Sequence, residues 1–164
     1  MLIRPFQAAD SVPLAALFHA SVHQAGLQDY SREQVSAWSP TVPDPAQFIR
    51  RAQDGRVFLV AVDDAGSPIA YGDLERDGHI DHLYCRPDMV GTGIGSALYD
   101  ALESAANDHG IEFLFVEASE AARRLFERKG FAVEQRNDFT INGVPIHNYR
   151  MVKSLPIPAQ LGTS

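Results

Sequence analysis

The sequence predicts an α/β (α+β) domain, and three observations carry that prediction. Strand-like and helical periodicities follow one another in the order β-α-α-β-β-β-α-β-α-β-β. Three alternate glycines, Gly91, Gly93 and Gly95, stand where an apolar run gives way to a helical repeat. Short turns, Asp63-Asp64-Ala65-Gly66-Ser67, Asp77-Gly78 and Asn142-Gly143, separate consecutive strands as hairpin turns do. With 164 residues, 45% of them hydrophobic and 21% charged, one soluble domain with its own core is expected. Its span is set at residues 1–153, with 154–164 as a Pro- and Gly-containing C-terminal tail.

Residues 2–6 read as the first strand. Asp10 or Ser11 is placed to cap a helix with Pro13 in its first turn, and Leu14, Leu17, Phe18 and Val22 repeat at helical spacing. Ser31 and Gln34 form a capping-box pair for a short helix over 33–38. Pro40, Pro43 and Pro45 impose a loop before a third helical piece over 46–52. Strands follow over 56–62, 68–74 and 79–85. Beyond the glycines, Ile94, Leu98, Ala101, Leu102 and Ala105 mark a helix. A buried strand is expected over 111–116, a helix capped by Ser119, and a final hairpin of 131–139 with 146–152.

Composition narrows the function. Lys and Arg number 14 against 21 Asp and Glu, a net charge of −7, which argues against a protein that coats nucleic acid. The single cysteine rules out an internal disulfide and fits a reducing compartment. The opening Leu2-Ile3-Arg4-Pro5-Phe6 has no basic-then-apolar leader, and no apolar run reaches membrane length. A cytoplasmic protein without membrane or nucleic-acid partners is expected, as a monomer or homodimer.

The stretch Val90-Gly91-Thr92-Gly93-Ile94-Gly95-Ser96 carries the chemistry. Glycines let a main chain approach an anion closely, and the free N–H groups of a first helical turn point at it. A Walker loop needs a lysine that is absent here, and a dinucleotide loop needs a different glycine spacing. The spacing found resembles the signature of the GNAT superfamily of acyl-CoA-dependent N-acyltransferases. Gly93 and Gly95 stand at the family glycines, and Val90 replaces the family Arg or Gln. Val116 to Phe131 resembles the family's late strand-helix-strand unit, with Ser119, Ala122 and Gly130-Phe131 at its marked positions. The run Tyr30-Ser31-Arg32-Glu33-Gln34-Val35-Ser36-Ala37-Trp38 is similar to a bacterial subgroup whose substrate is unassigned.

The resemblance implies a mixed, mostly antiparallel twisted sheet flanked by helices, with acetyl-CoA between its two central strands. It implies acetyl transfer to a primary amine of a small molecule or peptide by direct attack in a ternary complex. A non-catalytic acyl-CoA-binding module of the same fold is the alternative. Cofactor contacts then fall on Leu83, Tyr84 and Cys85, on Val90, Gly91, Thr92, Gly93, Ile94, Gly95 and Ser96, and on Ser119, Ala122 and Phe126. Apolar Ile80 and Leu83 break the period of two, which hints at a bulge that frees main-chain donors.

The general base is sought on the strand before the glycines, with His79 first, Asp81 second and His82 a further contender. A histidine with an ordinary pKa of about 6.5 suits neutral pH. The plainer reading has His79 ending a hairpin and Asp81 facing water. Phe126 stands where many family members carry a tyrosine acid, so Tyr149, Tyr84 or water would protonate the thiolate. His23, Tyr30 and Trp38 are the acceptor-side candidates. No metal site is expected.

Overall fold

The structure, a computed structural model, describes residues 1–156. Seven strands form two antiparallel sheets. The first, ordered β1-β2-β3-β4, uses Leu2–Pro5, Val57–Val62, Pro68–Leu74 and Ile80–Cys85. The second, ordered β5-β7-β6, uses Phe113–Ala118, Val144–Ser154 and Ala132–Ile141. They meet at the start of β4 and β5, where His79 and Phe115 form a parallel bridge and the Phe115 N–H donates to the Gly78 carbonyl. Gly78 is demanded there, because a Cβ on it would lie 2.0 Å from the Phe113 carbonyl oxygen. Beyond this joint β4 and β5 are no longer paired, so a gap opens between them. The expected mixed, mostly antiparallel sheet is present, divided at its only parallel junction among the described residues.

Helices cover both faces of the first sheet, so β2 is apolar almost throughout. Alternate β2 residues separate two cores. Phe58, Val60 and Val62 pack with Leu14 and Leu17 of α1 (Ser11–Gln24) and Phe48 of α3 (Ala46–Arg51). Ala61 packs on the other side with Ile94 and Leu98 of α4 (Ile94–Asp108). Helix α5 (Glu120–Arg128) joins that second side through Phe126, which meets Tyr99 and Phe131 edge to face. Helix α2 (Arg32–Trp38) lies against the β6–β7 hairpin and begins with the expected capping box, Ser31 and Gln34 exchanging side-chain and main-chain hydrogen bonds.

Several sequence readings are corrected. Neither Asp10 nor Ser11 caps α1 with its side chain. Asp10 instead receives both ends of the Arg4 guanidinium at 2.8 and 2.9 Å, tying β1 to the helix start, and the Ser11 hydroxyl donates to the Ala8 carbonyl. Strand β5 runs two residues later than expected and alternates: Leu114, Val116 and Ala118 are buried while Phe113 and Glu117 face outward. The expected tail begins too early, since β7 continues through Ser154 and Leu155 is buried with its N–H on the Glu112 carbonyl. The rest of the expected tail, 157–164, lies outside the described residues.

Candidate active site

The gap between β4 and β5 leads into a cavity of about 290 Å³. The glycine turn follows the C-terminal end of β4, just beyond the residues that line this cavity. Gly91 and Gly93 have φ of 80° and 88°, and a Cβ on either would meet nothing within 4 Å. Left-handed backbone is therefore the reason for glycine at both, and the space beside them is open. Gly93 is the residue preceding α4, whose first closing bond runs from the Ala97 N–H to the Gly93 carbonyl. The amides of Ile94, Gly95 and Ser96 lie ahead of that bond without a main-chain acceptor, as an anion site requires. Val90 and Thr92 contribute less: their N–H groups close turns onto Pro87 and Met89, and the Thr92 hydroxyl also donates to Met89. Gly95 has a different task. A Cβ there would sit 3.3 Å from the Cys85 sulfur, so this glycine lets α4 approach β4.

Beside the turn, β4 carries the expected bulge. Gly72 pairs with Leu83 but Leu74 with Ile80, so β4 fits three steps against two. Asp73 fills the irregularity, its Oδ1 accepting the His82 N–H at 2.8 Å. Since the N–H groups of His82 and Arg86 point to the β3 side, alternation turns those of Leu83 and Cys85 into the gap. Leu83 and Tyr84 line the cavity, with Ser119, Ala122 and Phe126 opposite. Ser119 caps α5 by accepting the Ala122 N–H. Burial pushes the Cys85 thiol up to about 11, consistent with an inert packing residue.

Two carboxylates, Asp81 and Glu117, stand in the cavity wall near the joint. Asp81 is tied to Arg51 at 2.7 Å and Arg56 at 3.3 Å, and both guanidiniums also hold the fully buried Asp73. Burial acts to raise the Asp81 carboxyl, but Arg51 and His82 outweigh it and hold it below its ordinary value.

His79 does not stand free as a base. Its Nδ1 bonds Glu75 and its Nε2 bonds Glu117, while its ring stacks on Phe115 at 4.8 Å. Burial pulls its pKa down, yet the hydrogen bonds to Glu117 and Glu75 raise it overall, favouring an imidazolium with both protons committed. His82 is not in the cavity either. Its ring stacks on Phe18 and contacts the Tyr71 hydroxyl, and burial with the Arg51 charge lowers it to about 4.

Tyr149 is also turned away. Its hydroxyl donates to Glu120 at 2.7 Å and its ring lies under Arg123, while His147, two residues earlier, lines the cavity. His23 is used elsewhere, bonding the Ser39 carbonyl at 2.6 Å. Tyr30 and Trp38 do line the cavity. The Tyr30 hydroxyl donates to the His147 carbonyl and accepts the Glu120 N–H, joining the loop before α2, β7 and the start of α5. Glu117, His147 and the wall of Phe139, Ile141 and Ile146 went unread in the sequence. An acid between buried Val116 and Ala118 was the available signal for Glu117.

A split sheet, a bulged strand before a glycine turn and open main-chain donors at a helix start are the features that the resemblance in the sequence leads one to expect. The model of the acetyltransferase (GNAT) domain matches residues 26–153, and the chain belongs to that family of acetyl-CoA-dependent acyltransferases. It is 28% identical over 150 residues to an uncharacterized N-acetyltransferase, YafP, of Escherichia coli K12, covering 91% of this chain and 93% of that one. Among solved structures it resembles a GCN5-related N-acetyltransferase of Rhodopseudomonas palustris at 40% identity and a TM-score of 0.85, covering 94% and 95% of the two chains. A phosphinothricin acetyltransferase of Sinorhizobium meliloti, solved with acetyl-CoA, shares the fold at 22% identity and a TM-score of 0.74, over 94% and 88%.

Proposed function

We propose that the protein acetylates a primary amine inside the β4–β5 cleft by direct attack on bound acetyl-CoA. The observation that supports this best is the course of β4, which carries Asp81 in the cavity wall near the joint of the sheets, opposite Glu117 of β5, and runs on directly toward the open glycine turn. The amides from Ile94 to Ser96 would hold the pyrophosphate, with Gly91 and Gly93 giving it room. Leu83 and Cys85 N–H groups suit the pantetheine and the thioester oxygen, where charge develops as the amine adds. Phe126 packs beside the sulfur end and has no proton to give.

An amine arrives as an ammonium and must lose a proton before its lone pair can attack. Of the candidates on β4, Asp81 alone lines the cleft, and two arginines hold it as an anion. Its role fits the binding of the ammonium. Glu117 faces it across the gap and is the better acceptor of the proton, directly or through water. His79 keeps Glu117 in place and is a positioning residue. The nitrogen then bonds the carbonyl carbon, the carbon–sulfur bond breaks, and the nitrogen sheds its second proton, which the thiolate takes up through solvent, while the first proton passes from Glu117 to bulk water. Tyr149, held by Glu120, is set aside as the acid. The reading places the enzyme in the cytoplasm, as a monomer or homodimer.

The test is release of free thiol from acetyl-CoA across a panel of primary amines, with mass detection of the acetylated product. Saturable acetyl-CoA binding without any product would select the non-catalytic binding module instead.

A further inference from the structure

The acceptor half of the cavity has two unlike ends, and together they describe a ligand. Near the joint the formally charged wall residues are Asp81 and Glu117. Their cationic partners, Arg51, Arg56, His79 and Arg150, do not line the cavity, so a ligand meets the carboxylates first. Away from the joint much of the wall is apolar, with Tyr30, His147 and Asn148 as its polar members. Trp38 comes from α2, Phe139 and Ile141 from β6, and Ile146 from β7. Phe139 keeps 37% of its surface exposed, and the Trp38 ring is braced edge to face on Tyr30 at 5.8 Å. An aromatic wall facing a cleft is uncovered apolar surface until a ligand buries it.

We propose that the acceptor is a small primary amine with an apolar body and no carboxylate, its ammonium against Asp81 and Glu117 and its body against Trp38, Phe139, Ile141 and Ile146. This rests on the acetyl-transfer reading and sharpens it. Three alternatives fit the cavity less well. An α-amino acid brings a carboxylate into a wall that, among the described residues, has no lysine or arginine and already holds two acids. A linear polyamine has no apolar body to cover Ile141 and Ile146, and among the described residues its second ammonium finds no further carboxylate in the cavity wall. The neighbouring acid Glu120 is not part of the cavity wall. A folded protein offers the cavity of about 290 Å³ only a side chain or a terminus, which covers less of its apolar wall than a ring or branched chain on a short arm.

The experiment compares kcat/KM for 2-phenylethylamine, L-phenylalanine and spermidine at saturating acetyl-CoA, in wild type, Trp38→Ala and Phe139→Ser. The first amine is expected to exceed the other two by at least about tenfold, the discrimination a single well-placed group can give. Both variants should raise its KM severalfold with unchanged affinity for acetyl-CoA. Phe139→Ser changes a partly exposed residue, so it reports even if Trp38→Ala fails to fold. Equal or better turnover of phenylalanine or spermidine overturns the acceptor class while leaving acetyl transfer intact. So does indifference of the phenylethylamine KM to both substitutions. Acetyl-CoA binding with no turnover of any amine overturns the acetyl-transfer reading itself.

Discussion

The two ends of the cleft are built in different ways. The glycine end is made of main chain from seven consecutive residues, its conformation set by Gly91 and Gly93 and its donors by the start of α4. The carboxylate end is made of side chains gathered from distant elements. Arg51 follows from α3, Asp73 from β3, Asp81 from β4 and Glu117 from β5, with His79 bridging the sheets. A site of local main chain is fixed by short-range conformational preference. A site of converging side chains exists only once the sheets have packed, so single substitutions there act on stability and chemistry together.

The largest effect is expected at the second end. Asp73 is fully buried, bonded to Arg51, Arg56 and the His82 N–H. Asp73→Ala takes one of two shared carboxylates from both guanidiniums, leaving them Asp81, and frees the bulge, and should cost up to about 3–5 kcal/mol in urea unfolding, the range for removing one partner of a buried pair. A change below about 1 kcal/mol would show that this network is not what holds the bulge.

The glycine end should separate stability from binding. Gly93→Val adds a side chain to open space but demands a φ of 88° that valine resists. Strain of about 1–3 kcal/mol should relax by distorting the turn, lowering acetyl-CoA affinity about 10- to 100-fold in calorimetric titration. A folded variant with wild-type affinity would remove the turn from the cofactor site.

His79 offers a smaller effect with a pH signature. Its pKa is raised in the folded protein, so the clamp's contribution is complete below about pH 6.5 and fades as pH climbs through the raised value. The stability gap between wild type and His79→Gln, about 1 kcal/mol or less for partly exposed partners, should therefore close above neutrality. A gap that widens with pH would contradict an imidazolium bridge. The smallest change is expected for Phe126→Tyr, which should keep acetyl-CoA binding, alter turnover by less than about tenfold and shift the alkaline limb of the rate profile. Loss of cofactor binding would show that Phe126 does not sit beside the sulfur.

Legibility in the sequence follows the same division. The order of the strands, the helical piece over 46–52 that the eleven-element order leaves out, the Ser31–Gln34 cap, the Ser119 cap and the glycine turn are local patterns, and the structure contains them. The bulge was visible as a slip between Ile80 and Leu83, although the acid that fills it lies on another strand. His79 was misjudged because a lone histidine on a strand looks free until Glu75 and Glu117 are brought to its two nitrogens. Tyr149 and His147 share one strand face and one acceptor, Glu120, and nothing local says which of them the cavity reaches. Glu117 lay just past the expected end of β5, so a two-residue error at a strand boundary hid it.

The most direct measurement crosses the two ends. Acetyl-CoA dissociation constants and kcat/KM for an accepted amine are taken for Gly93→Val and for Glu117→Gln under one set of conditions. Gly93→Val should lose affinity for acetyl-CoA while approaching wild-type kcat once the cofactor is saturating. Glu117→Gln should bind acetyl-CoA as wild type does and lose about 10²–10⁴-fold in kcat/KM, as loss of a general base does. If Glu117→Gln keeps its kcat/KM, or weakens acetyl-CoA binding as much as it slows turnover, the division between a cofactor end and a chemical end is wrong.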